Sequence, residues 1–152
     1  MKRGRHKRKS RTEIAKLKDK LWELCKLVIR KRDGDTCYAC GKSGLVGSNW
    51  HTGHFIPSVA CGGFLRYELR NLYSQCYNCN INLGGNGTAM TRNLVQRQSQ
   101  DFVDQIWRDK QNLIKVDIHF IKDKIEEYTK YSECSQKKLN EITFRHVKKV
   151  SA

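Results

Sequence analysis

This chain lacks several features that would widen the range of functions to consider. No apolar run approaches the roughly 18–20 residues of a membrane-spanning helix, so a bilayer is not its expected setting. The N-terminus is basic but has no apolar stretch behind it, which argues against a secretory leader and for a reducing compartment. Acid is scarce: 15 Asp+Glu face 30 Lys+Arg, for a formal net charge of +15 over 152 residues. Such an imbalance favours a polyanionic partner, nucleic acid ahead of an acidic membrane surface. Proline occurs once, at Pro57, so nothing interrupts helices elsewhere. The length suits one domain, and no internal repeat is evident beyond two cysteine pairs.

Cysteine, by contrast, is plentiful. In a reducing compartment seven cysteines are better explained by metal than by disulfides. Cys37-Tyr-Ala-Cys40 and Cys76-Tyr-Asn-Cys79 are two C-x-x-C pairs separated by 35 residues, the spacing of a tetrathiolate zinc site. Such a site pins a loop to the start of a later helix and supplies folding energy that a small core cannot. Cys25, Cys61 and Cys134 stand alone and read as small apolar residues.

Four stretches follow from pattern. Residues 1–11 carry seven Lys/Arg and no acid; Lys2, Arg3, Arg5, Lys7, Arg8 and Lys9 are expected to grip phosphate without choosing sequence, or to serve as a solvated tail. A helix is expected over 12–34, opened by a capping box Ser10-Arg-Thr-Glu13 and stopped at Gly34. Ile14, Leu17, Leu21, Leu24 and Val28 give it one apolar stripe, widened by Trp22, Cys25 and Ile29. Arg30-Lys31-Arg32 suit the dipole of its last turn. Residues 35–92, rich in Gly, Asn, Cys and Tyr, form the zinc-binding core, with strands expected around Gly44–Trp50 and Phe64–Tyr73. A short helix should begin near Cys76 and fail at Gly84-Gly85-Asn86-Gly87. Residues 93–152 read as amphipathic helices for DNA binding or dimerisation, with faces at Phe102, Val103, Ile106 and Trp107, at Ile118, Ile121, Ile125 and Tyr128, and at Leu139, Ile142, His146 and Val150.

The material around the cysteines carries chemistry. Phosphodiester hydrolysis needs a base for water, a hard cation and positive charge around the phosphorus. His54, in Gly53-His54-Phe55-Ile56-Pro57, has a ring whose pKa lies near neutrality. Asn80 directly follows a zinc-binding cysteine and offers a neutral amide oxygen suited to Mg²⁺. His51 could complete the cation site, leaning it towards Mn²⁺. A structural or surface histidine is the plain alternative for either ring.

Taken together, Cys37-x-x-Cys40, Gly53-His54-Phe55-Ile56-Pro57, Gly62-Gly63, Asn71-Leu72 and Cys76-x-x-Cys79-Asn80 resemble the HNH, or His-Me finger, nucleases. The order of segments is most similar to the phage NinG family of Rap recombination proteins. Ile29-Arg-Lys-Arg-Asp33, Leu65-Arg66-Tyr67-Glu68-Leu69-Arg70-Asn71, Gln75-Cys76 and Gly85-Asn86 extend the likeness over about residues 20–130. The Cys-x-x-Cys-Asn ending also resembles phage endonuclease VII. The resemblance implies an α+β fold: a small zinc-stabilised ββα-metal core flanked by long amphipathic α-helices. It implies cleavage of branched DNA, Holliday junctions and D-loops, with structural Zn²⁺ and catalytic Mg²⁺ or Mn²⁺. It implies His54 as general base, Asn80 on the cation, Asn71 tying the loop that steadies His54, and Arg66 and Arg70 facing phosphate. Many relatives carry Asp immediately before the base, whereas this chain has Gly53, so His51 or Glu68 would have to compensate. The setting so implied is the cytoplasm of a phage-infected bacterium, with other phage recombination proteins as partners.

Paired cuts in a junction need two active sites, so a homodimer is expected on functional grounds, with packing of the long helices in cis as the alternative. Two other functions fit the same residues: an HNH nicking or homing-type enzyme acting on duplex DNA, and a non-catalytic zinc module that binds DNA.

Overall fold

The computed structural model describes residues 11–145; Lys2, Arg3, Arg5, Lys7, Arg8 and Lys9, like His146 and Val150, lie outside them. Helix α1 runs Glu13–Asp33. Its N-cap is Thr12, whose hydroxyl accepts from the Ala15 amide at 3.3 Å, so the helix is capped two residues later than the Ser10 box would place it. Gly34 ends it at φ 70°, a left-handed backbone that favours glycine, with its amide returning to Arg30 O.

The sheet is one antiparallel pair, β1 His51–His54 and β2 Leu72–Gln75, with His51 opposite Gln75 and His54 opposite Leu72. β1 lies later in the chain than the residues expected to form it, and β2 overlaps the expected Phe64–Tyr73 only at Leu72 and Tyr73. Gly44–Trp50 is instead a loop ending in a 3₁₀ turn at Gly47–Asn49. Phe64–Asn71 is spent on helix α2, Gly62–Leu65, and a second 3₁₀ turn at Leu69–Asn71. The reason lies in β2, which is buried along its whole length and so shows no alternation of apolar and polar residues. After it, Asn78–Asn82 makes one wide π-type turn. Helix α3 starts at Gly87 and runs to Arg97, straddling the boundary expected at 92. Helices α4 Gln100–Asp109, α5 Ile118–Ser132 and α6 Gln136–Phe144 complete the described chain, capped by Ser99, Asp117 and Ser135. Among the described residues no helix is long and apolar enough to cross a membrane.

The hairpin lies between two apolar clusters. Leu72 joins Leu21, Cys25, Val28 and Ile29 of α1 with Ile121, Ile125 and Tyr128 of α5. Its neighbour Tyr73 points the other way, into Leu45, Phe55, Ile56, Met90, Leu94, Phe102 and Ile106. The α1 stripe is therefore covered in cis by α5 and α6 and offers no dimer seam. Cys25 and Cys61 are buried as expected of small apolar residues, and Cys134 is half-buried. Trp107 is largely exposed, edge-on to Phe55.

Arg32 does not serve the helix dipole from the surface. It is 1% exposed, paired with Asp33 through Nε at 2.6 Å and Nη2 at 3.1 Å, and it donates to Leu69 O at 2.8 Å and Leu72 O at 2.6 Å. Asp33 in turn accepts from the Ser74 amide at 2.9 Å. The end of α1 is thereby tied to β2. Arg32→Ala leaves the Asp33 carboxylate buried without its partner and is expected to cost about 3–5 kcal/mol. The check is a lower urea midpoint at unchanged slope.

Candidate metal centre and adjoining cleft

The Sγ atoms of Cys37, Cys40, Cys76 and Cys79 all lie within 4.8 Å of one another, and Cys40 Sγ is 3.8 Å from Cys76 Sγ. Tetrahedral zinc with Zn–S near 2.3 Å requires sulfurs roughly 3.8 Å apart. The four cysteines can hold a zinc ion. Each pair forms a knuckle in which the second amide faces the first sulfur, Cys40 N to Cys37 Sγ at 3.5 Å and Cys79 N to Cys76 Sγ at 3.4 Å. Asn86 Nδ2 donates to Cys79 Sγ at 3.4 Å, a contact that favours the thiolate.

The second knuckle runs directly into Asn80. His51 Nε2 lies 2.8 Å from Ser48 O, and His51 Nδ1 lies 2.9 Å from Asn80 Nδ2. A carbonyl only accepts, so Nε2 of the neutral ring carries the proton and Nδ1 takes a hydrogen from the Asn80 amide. Both nitrogens of His51 are thus engaged, and Asn80 Oδ1 is turned away from the ring. A Cβ built on Gly53 would stand 1.9 Å from Gln75 Oε1 and 2.9 Å from Asn80 Oδ1. Position 53 therefore has no room for a side chain while Gln75 fills the space.

His54 closes β1. Its Nε2 lies 3.1 Å from Arg66 O, which by the same reasoning protonates Nε2 and leaves Nδ1 with a bare lone pair. The ring stacks on Trp22 at 5.3 Å between centroids, 4° from parallel. Burial, and secondarily the Arg66 charge, push its pKa below the usual 6.5 against the opposing Arg66 carbonyl. Asn71 holds this geometry from beneath. It is fully buried, accepts from Ile56 N at 2.7 Å, and donates to Ile56 O at 3.1 Å and Leu65 O at 3.2 Å. It thus clamps the segment after His54 to the residue preceding Arg66.

His54 and Asn80 line one cleft of about 750 Å³, together with Arg11, Lys18, Trp22, Thr52 and Arg66. Glu68 and Arg70 do not join it. They pair with each other at 3.1 Å, Arg70 also binds Asp109 at 2.7 Å, and both line a different cleft beside α5. Glu68 is therefore no ligand beside His54, and Arg70 is neutralised where a free phosphate contact was expected. Helical periodicity puts Trp22 in the core stripe, counts Arg11 only within the basic tail, and does not single out Lys18. The signal for Lys18 and Trp22 was the spacing 15, 18, 22, a second face of α1 running beside the apolar stripe, with Arg11 just ahead of its N-cap.

A family profile described as Bacteriophage Lambda NinG protein matches residues 1–141. The chain belongs to the NinG family. Protein ninG of Escherichia phage lambda is 37% identical over 79 residues, covering 51% of this chain and 37% of that protein. Protein ninG of Salmonella phage P22 is 35% identical over 82 residues, covering 53% and 39%. The match thus spans about four tenths of these NinG relatives. No solved structure matches.

Proposed function

We propose that this chain is a zinc-stabilised, metal-dependent endonuclease of His-Me finger type that cuts branched DNA. The observation that carries the reading is His54: a ring with an unprotonated Nδ1, kept neutral by burial, in a cleft it shares with Asn80, Arg66, Lys18 and the Arg11–Asp19 pair. In this reading His54 takes a proton from water, the oxygen bonds to phosphorus, and the bond to the leaving sugar oxygen breaks. A divalent cation, Mg²⁺ or Mn²⁺, would supply charge for the phosphorane and the leaving oxygen. Asn80 Oδ1 is a hard, uncharged oxygen fitted to such an ion, whereas His51 acts through Asn80 by fixing its amide. Arg66 and Lys18 face the phosphate, Arg11 is paired with Asp19 at the cleft's edge, and Trp22 keeps the imidazole in plane. The basic tail adds salt-sensitive, sequence-independent grip.

Junction resolution further requires a second site from a second copy. Since α5 and α6 cover the α1 stripe, that interface uses another surface. The rival reading, a non-catalytic zinc module, draws on the missing acid at Gly53. Labelled four-way junction and linear duplex, each with Mn²⁺ or Mg²⁺, separate the possibilities. Preferential junction cleavage is expected; equal cutting of duplex indicates a nicking enzyme. Tight binding without cutting under either ion would sink the catalytic reading.

A further inference from the structure

We propose that Gln75 supplies the cation ligand that position 53 does not, so that Gln75 Oε1 and Asn80 Oδ1 together hold one hard divalent ion beside His54. The proposal rests on the reading of Asn80 as a cation ligand and adds a residue to it.

Two independent hydrogen bonds set the orientation of the Gln75 and Asn80 amides. Gln75 Nε2 donates to Gly85 O at 2.8 Å, so the NH₂ end must face that carbonyl and Oε1 must face the other way. Asn80 is set by the relay from Ser48 O through His51, which takes its NH₂ and frees Oδ1. Both oxygens then converge on Gly53, at 1.9 Å and 2.9 Å from where its Cβ would be. They are separated by no more than the sum of those distances, and since an ion with bonds of about 2.1 Å joins oxygens up to roughly 4.2 Å apart, at most a small adjustment of either amide brings both onto one ion. Gln75 is fully buried, and its Oε1 has no hydrogen-bond partner among the described residues. A buried acceptor without a donor is costly, so such groups call for a specific occupant.

The backbone is arranged to permit this approach. Gly85 has φ 94°, and a Cβ there would sit 3.5 Å from His54 O, so the loop whose carbonyl anchors Gln75 packs directly on the base-bearing strand. Cys76, next to Gln75, and Cys79, next to Asn80, are both zinc-binding cysteines. The structural ion therefore fixes both oxygens through one residue each. Two neutral oxygens attract an ion weakly, and a phosphate would complete the shell, as Mg²⁺ sites commonly use substrate oxygens.

The test is Mn²⁺ binding, measured on the zinc-loaded full chain by loss of the free-ion electron paramagnetic resonance signal, with cleavage assayed in parallel. Gln75→Ala is expected to bind Mn²⁺ about tenfold more weakly or worse, as should Asn80→Ala. Adding Gly53→Asp to Gln75→Ala places a carboxylate in the vacated space and is expected to restore or exceed wild-type affinity. Gln75→Met, which keeps the shape but removes the oxygen, stands in if the alanine variant loses its zinc or its thermal transition. Equal Mn²⁺ affinity in wild type and the folded Gln75 variants overturns the proposal and leaves Oε1 to a buried water. So does the absence of any Mn²⁺ site in the wild type. Cleavage that is indifferent to Gln75 defeats this inference but spares the nuclease reading. Gln75-dependent Mn²⁺ binding without cleavage does the reverse.

Discussion

His54→Ala is expected to lower Mn²⁺-dependent cleavage by about 10²–10⁴-fold, the range for a lost general base, while DNA binding and zinc content persist. The argument begins with the proton. Arg66 O can only accept, so Nε2 is the protonated nitrogen and Nδ1 is the one available to water. The neighbouring ring of His51 offers no such nitrogen, because both of its nitrogens are already bonded. The pH profile carries the same information. His54 must be neutral to act, and burial lowers its pKa below 6.5. Accordingly kcat/KM should be flat at pH 7 and above and fall as pH drops through a value under 6.5. Trp22→Ala opens the stacked face to water, and that break should move up towards the unperturbed value. A profile unchanged by both substitutions, or equal cleavage by His54→Ala, would remove His54 from the chemistry.

Zinc removal is expected to have the largest effect on the fold. Structural zinc contributes about 10–16 kcal/mol of apparent binding energy in small zinc-finger peptides at neutral pH, comparable to the entire stability of a domain. Here an ion held by the four sulfurs would join Cys37 and Cys40, just after α1, to Cys76 and Cys79, just after β2. Stripping it with a strong chelator should abolish cleavage and collapse amide-exchange protection over residues 35–92. The α1–α5 pair, which has an apolar cluster of its own, should retain helical signal at low temperature. Cys79→Ala should behave like the chelated protein and release no zinc on titration with a thiol reagent. Full protection of the hairpin in a zinc-free sample would show that the cysteines are not its anchor.

Legibility in the sequence tracked how local each interaction is. The cysteine spacing, Gly34 as a helix stop and the apolar stripe of α1 each depend on neighbours a few residues away, and all three are present in the fold. The strands were placed too early because Leu72 and Tyr73 face two different cores, which erases the period of two. Arg32 read as a surface charge because its partners, Leu69 O and Leu72 O, are carbonyls some forty residues on. Glu68 and Arg70 read as site residues by position in a motif, yet Asp109 of α4 draws Arg70 to another face.

The sequence by itself determined that this is a basic chain whose four cysteines have the spacing of a tetrathiolate metal site, with His51 and His54 between the two pairs and Asn80 directly after the second. Spacing suffices for that, since C-x-x-C turns need only their own backbone to present two sulfurs. Only the tertiary structure decided the rest. It turned His51 from a ligand into the group that orients Asn80, it set Trp22 against His54, and it filled the space over Gly53 with the oxygen of Gln75. Each of these depends on a contact between segments apart in the chain, Asn80 with His51, Trp22 with His54 and Gln75 with Gly53 and Gly85, and such contacts are written in three dimensions rather than in order along the chain.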